Sequence, residues 1–117
     1  MPTIATFIPG LVPKSAANER EHWAVKANRA AVERQWVFLK LQSKGRPPEL
    51  PVTVEFTRHG TRLLDDDNLV AAYKSCRDGV ADWLGVDDGD ERITWIVKQR
   101  KAPKHPGTMI LVAGEAK

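Results

Sequence analysis

The sequence predicts an α+β fold, a mixed β-sheet with two main helices packed against it. Three observations predict it. Two long segments poor in Gly and Pro carry apolar residues at three- and four-residue steps, the helical period. Four shorter segments alternate apolar and polar residues, or run apolar, over lengths suited to strands. The two kinds of segment follow one another in the order β–α–β–α–β–β, a succession that layers helices on a sheet.

Thr3 to Ile8 reads as the first strand, ended by Pro9-Gly10. From Ala16 to Gln42 neither Gly nor Pro occurs, and Trp23, Ala27, Ala30, Val37 and Leu41 mark the buried stripe of a long helix. Ser43-Lys44-Gly45-Arg46-Pro47-Pro48 stops it. Over Pro51 to Thr57, Val52, Val54 and Phe56 alternate with Thr53, Glu55 and Thr57, which gives a strand with one buried face. Asn68 is the expected N-cap of a second helix whose stripe is Leu69, Ala72, Tyr73, Cys76, Val80, Trp83 and Leu84, with Gly85 as its stop. Gly79 interrupts the stripe and weakens the helix by roughly 1 kcal/mol relative to Ala. Ile93 to Arg100 returns to the two-residue period, and Thr108 to Ala113 is a short apolar strand suited to a sheet interior.

At 117 residues the chain reads as one domain, residues 1–117, with enough length for a core. A net charge of +3 is compatible with a polyanionic partner without demanding one. Cys76 is the only cysteine, which leaves no pair for an internal disulfide and no thiolate metal cage. No apolar run has membrane-spanning length and the N-terminus lacks a signal-peptide pattern, so a cytoplasmic protein with no membrane partner is expected. The four tryptophans, Trp23, Trp36, Trp83 and Trp95, lie on amphipathic elements and are expected in core or interface packing.

Two acidic clusters carry the chemistry: Asp65-Asp66-Asp67 before the second helix, and Asp87-Asp88-Gly89-Asp90-Glu91 after it. Carboxylates crowded together repel and favour a compensating cation. On an extended segment, residues two apart point to the same side with alpha carbons roughly 6.5 to 7 Å apart, so Asp65 and Asp67 would project together. A strand paired beside them would bring Asp87, Asp88 or Asp90 into the same site. Such a set suits a magnesium ion, which keeps part of its water shell and serves phosphodiester chemistry. Neither cluster has the acidic alternation around a central Gly that an EF-hand requires. Asp-rich turns also arise simply as caps and loops. Arg58, Arg62, Lys98, Arg100 and Lys101 flank the clusters and are candidate DNA-phosphate contacts. His59, between Arg58 and Gly60, is a weaker candidate for phosphate or metal.

Asp65-Asp66-Asp67-Asn68-Leu69 and the later Asp88-Gly89-Asp90-Glu91-Arg92-Ile93 resemble the two motifs of the RusA-type Holliday-junction resolvases, small endodeoxyribonucleases of bacteria and their prophages. The resemblance runs from about Thr3 to Lys98. It implies a homodimer that uses magnesium, with manganese as a substitute, to resolve four-way DNA junctions. It also implies Asp65, Asp67 and Asp90 as metal ligands, with Asp88 the competitor for the third place. A lysine frequent in the family, four residues after the second motif aspartate, falls on Ala71, and Lys74 on the same helix is the candidate catalytic replacement. That departure keeps a second expectation open, a branched-DNA-binding protein that has the fold without turnover.

Overall fold

Alternation along residues 52–60 sets the centre of the sheet, because Val52, Val54 and Phe56 all project to one side and are fully buried there. The computed structural model describes residues 3–14 and 23–114. It contains β1 (Thr3–Pro9), α1 (Trp23–Gln42), β2 (Val52–Gly60), α2 (Asp66–Ala72), α3 (Lys74–Leu84), β3 (Ile93–Lys101) and β4 (Gly107–Gly114). The expected helical stretch 16–22 lies outside the described residues.

The four strands form one mixed sheet in the order β1-β4-β2-β3. The apolar β4 lies inside it, antiparallel to both β1 and β2. β2 and β3 are parallel, in register from Val52↔Ile93 to Gly60↔Lys101. A parallel pair requires a crossover connection, and α2 and α3 provide it. The core lies between the sheet and the helices, with Ile8, Phe56, Ile110 and Val112 meeting Val37, Leu41, Cys76 and Val80. Cys76 is a buried thiol whose pKa is pushed up by that burial.

The second helix departs from expectation in two ways. It starts before Asn68: Asp65 is the N-cap, and the Leu69 N–H donates to the Asp65 carbonyl at 2.8 Å. It is also broken at Tyr73 (φ −95, ψ 8) into α2 and α3. Neither Gly nor Pro causes that break. Thr108 donates its hydroxyl proton to the Leu11 carbonyl at 2.6 Å, so the buried Tyr73 phenol is the donor in its 2.7 Å bond to Thr108 Oγ1. The turn at Tyr73 coincides with this anchor to β4 and with the packing of its ring on Phe56.

α1 also buries less than its sequence period implies. Only Val37 and Leu41 are buried, while Ala27 and Ala30 face solvent and Trp23 is 75% exposed. Trp36 is 39% exposed, whereas Trp83 is buried and Trp95 stacks on Phe56 with centroids 6.1 Å apart. The helix is held where it crosses α3 at Gly79. A Cβ there would lie 2.5 Å from the Arg34 carbonyl and 3.0 Å from Val37 Cβ, so only glycine permits the approach. Arg34 reinforces the crossing with a two-pronged bond to Asp82, at 2.7 and 2.8 Å.

Candidate acidic site

β2 ends at Gly60, and the chain reaches the first acidic cluster through a four-residue loop, 61–64, fixed by two side chains. Gln99 of β3 accepts the Leu64 N–H at 2.8 Å and donates its own amide to the Leu64 carbonyl at 2.7 Å. Its amide group thus pairs the backbone just before Asp65 as a neighbouring strand would. Arg58 is buried, and its guanidinium donates to the Pro13 carbonyl at 3.2 Å and the Arg62 carbonyl at 2.7 Å. Gly60 leaves room for that guanidinium, which a Cβ would overlap. Arg58 therefore belongs to the interior, where it ties the 11–14 loop to the 61–64 loop, rather than to a DNA-facing rim as expected.

Asp65 is extended (φ −63, ψ 152) and makes no side-chain cap bond, while Asp66 and Asp67 occupy the first turn of α2. The expectation of Asp65 and Asp67 side by side on one extended strand is thus corrected, because a helix start falls between them. All three carboxylates are exposed, without a side-chain partner among the described residues. Their position in the first turn is favourable, since helix N–H dipoles stabilise negative charge there.

The second cluster is differently placed. Lys74 Nζ lies 2.7 Å from both Asp78 Oδ1 and Asp88 Oδ2, and this lysine holds the Asp88 carboxyl below its ordinary range. Asp90 is gripped by Arg92 through Nε at 3.0 Å and Nη2 at 2.7 Å, which lowers its pKa to about 2. Asp87 Oδ1 accepts the Gly89 N–H at 3.4 Å within the turn.

The two clusters do not converge. Leu64 is anchored at Gln99, whereas the Asp88 carbonyl is anchored by Trp95 Nε1 at 3.0 Å. Those anchors are four residues apart along β3, about 13 Å at the usual strand rise. Parallel pairing is the reason: the first cluster follows the end of β2, and the second precedes the beginning of β3. Among the described residues no three His, Cys, Asp or Glu side chains gather closely enough to hold a metal ion. Magnesium needs a near-octahedral set of oxygens. Asp65 and Asp67 offer free carboxylates, but Asp90 and Asp88 are bound to Arg92 and Lys74, so the expected set does not fit one ion in this arrangement.

The remaining candidates are scattered. Arg62, Arg100 and Lys101 are exposed at the sheet end nearest Asp65. Lys98 pairs with Glu55 across the uncovered sheet face at 3.0 Å. His59 stacks edge-on against Phe7, and burial followed by the Arg100 charge pushes its pKa down. Ala71 is exposed on α2, one helical turn beyond Asp67. Sequence reasoning missed Gln99 altogether. A glutamine on the buried parity of an edge strand was the available signal.

A search of protein families finds no match. Among curated proteins the chain is 40% identical over 81 residues to a Xylella fastidiosa (strain Temecula1 / ATCC 700964) protein described as "Uncharacterized protein", in a match covering 61% of this chain and 51% of the relative. The chain thus spans about half the length of that relative. No helix among the described residues is long and apolar enough to cross a membrane.

Proposed function

We propose that this chain acts on branched DNA as a magnesium-dependent, structure-selective endodeoxyribonuclease of the RusA type, working as a homodimer on four-way junctions. The observation that carries the reading is the condition of Asp65, Asp66 and Asp67. Most other described acids are bonded: Glu33 to Ser75, Glu55 to Lys98, Asp78 and Asp88 to Lys74, Asp82 to Arg34 and Asp90 to Arg92. These three are adjacent, exposed and without side-chain partners among the described residues. They sit beyond the C-terminal end of a parallel strand at the start of its crossover, the usual place for ligands in such units. Asp65 and Asp67 are the donors this reading assigns to the metal.

A second reading, branched-DNA binding without turnover, is favoured by that same pairing of the later acids and by Ala71 in place of lysine. A synthetic four-way junction incubated with the protein and magnesium separates the two. The nuclease reading expects paired nicks that disappear in Asp67→Asn. Tight junction binding without nicks, across magnesium and manganese, transfers the assignment to the binding protein.

A further inference from the structure

An open groove of about 410 Å³ lies between the first half of α1 and the α2–α3 segment. α1 is pressed against α3 at Gly79, while most residues of its earlier turns are exposed. The groove walls carry Lys14, Lys26, Arg29, Arg34 and Lys74, against Glu33 and Asp78. Lys14 follows the loop that Arg58 pins through Pro13. Lys14 and Lys26 have no side-chain partner among the described residues, and Glu33 turns its carboxylate to the Ser75 hydroxyl at 2.7 Å. Ala71 forms part of the floor, where a longer side chain would fill the space. Asp67 lies four residues before Ala71 on α2 and so on the same helix face. Asp67 therefore lies on the α2 face that Ala71 contributes to the cation-lined groove.

We infer that this groove is the track for a nucleic-acid strand, with Lys14, Lys26 and Arg29 contacting its phosphates and leading it toward Asp67. Lys14 precedes α1 in the chain, and Lys26 and Arg29 lie one helical turn apart on it, so the contacts span more than one segment of the groove wall. A polymer fits this arrangement better than a single anion, because the cations come from three segments and are strung along the groove. The inference deepens the proposed function and moves the DNA-contacting surface away from Lys98 and Arg100 on the uncovered sheet face.

The test is binding of a fluorescent four-way junction to the full chain in EDTA across a salt series. Lys14→Gln/Lys26→Gln is expected to weaken binding about tenfold and to reduce the slope of log affinity against log salt by about 2, one for each phosphate that is no longer neutralised. Ala71→Glu, which places a carboxylate on the floor, is expected to weaken binding without a fold change. Lys44→Gln/Arg46→Gln, the same charge removed from the loop after α1, is expected to stay within twofold of wild type. Groove variants that bind like wild type with an unchanged slope overturn the inference, as does transfer of the loss to Lys98→Gln/Arg100→Gln. A wild-type chain that binds no DNA overturns it too. If the groove variants lose affinity while wild type never cuts in magnesium, the nuclease reading fails and the groove assignment stands.

Discussion

Gln99 and Leu64 hold each other by two hydrogen bonds, at 2.8 and 2.7 Å, so one side chain of β3 fixes the backbone that presents Asp65. Gln99→Met keeps the volume but removes both bonds. Net hydrogen bonds contribute about 0.5–1.5 kcal/mol each, so a loss of about 1–3 kcal/mol is expected in urea unfolding. On the proposed function, junction cleavage should fall further than this stability loss explains, because Asp65 loses its fixed position. An unchanged cleavage rate in a folded Gln99→Met protein would show that the clasp serves stability alone.

Arg58→Met tests the buried tie between the two loops. It leaves the buried Pro13 carbonyl and the part-buried Arg62 carbonyl without that partner; an orphaned buried group costs about 1–3 kcal/mol and a lost bond about 0.5–1.5 kcal/mol. Unfolding free energy should drop by about 2–4 kcal/mol. If the residue instead served DNA directly, urea stability would hold and only the salt dependence of binding would change.

Gly79→Ala has opposite signs under two effects. Helix propensity alone would stabilise the protein by up to about 1 kcal/mol. The added Cβ meets the Arg34 carbonyl at 2.5 Å, a backbone atom that cannot swing aside. Overpacking costs about 1–3 kcal/mol, so net destabilisation is expected. A higher melting temperature for Gly79→Ala would mean that α1 and α3 are not pressed together there.

Acid should weaken the protein modestly in a defined window. Arg34, Lys74 and Arg92 hold Asp82, Asp88 and Asp90 below the ordinary 3.8, with Asp90 at about 2. A carboxylate lowered by folding stabilises above its unfolded pKa and loses that contribution as protons bind in the folded state. Stability contributed by these pairs should therefore be constant above about pH 5 and decline from about pH 4 toward 2. Urea midpoints measured from pH 6 to 2 check this, and Arg92→Gln should shallow the decline. Added salt should shrink the effect, since the pairs are exposed.

The parts of this fold legible in sequence were those set by local period. The stripe Leu69, Ala72, Tyr73, Cys76, Val80 and Trp83 is buried as its spacing implies, and Val52, Val54 and Phe56 face the core. The same strand parity continues to position 58, so the burial of Arg58 was readable there, although its charge argued for the surface. The interruption at Tyr73 was not readable, because it coincides with a hydrogen bond to Thr108, 35 residues away. Strand order was hidden as well. Two acidic motifs flanking a crossover look ready to meet, but the parallel direction of β3 anchors them at different points along it. The open half of α1 carries a correct helical period without a neighbour among the described residues that would bury it.

β3 is the margin of the sheet, with β2 on one side and no strand on the other among the described residues. A bare margin invites a stranger's backbone to zip on, and cationic side chains are a common deterrent. Lys98 and Arg100 stud this margin, so their charge is suited to keeping molecules from polymerising through their sheets. Neutralising both would then show itself first in the concentration at which the protein precipitates.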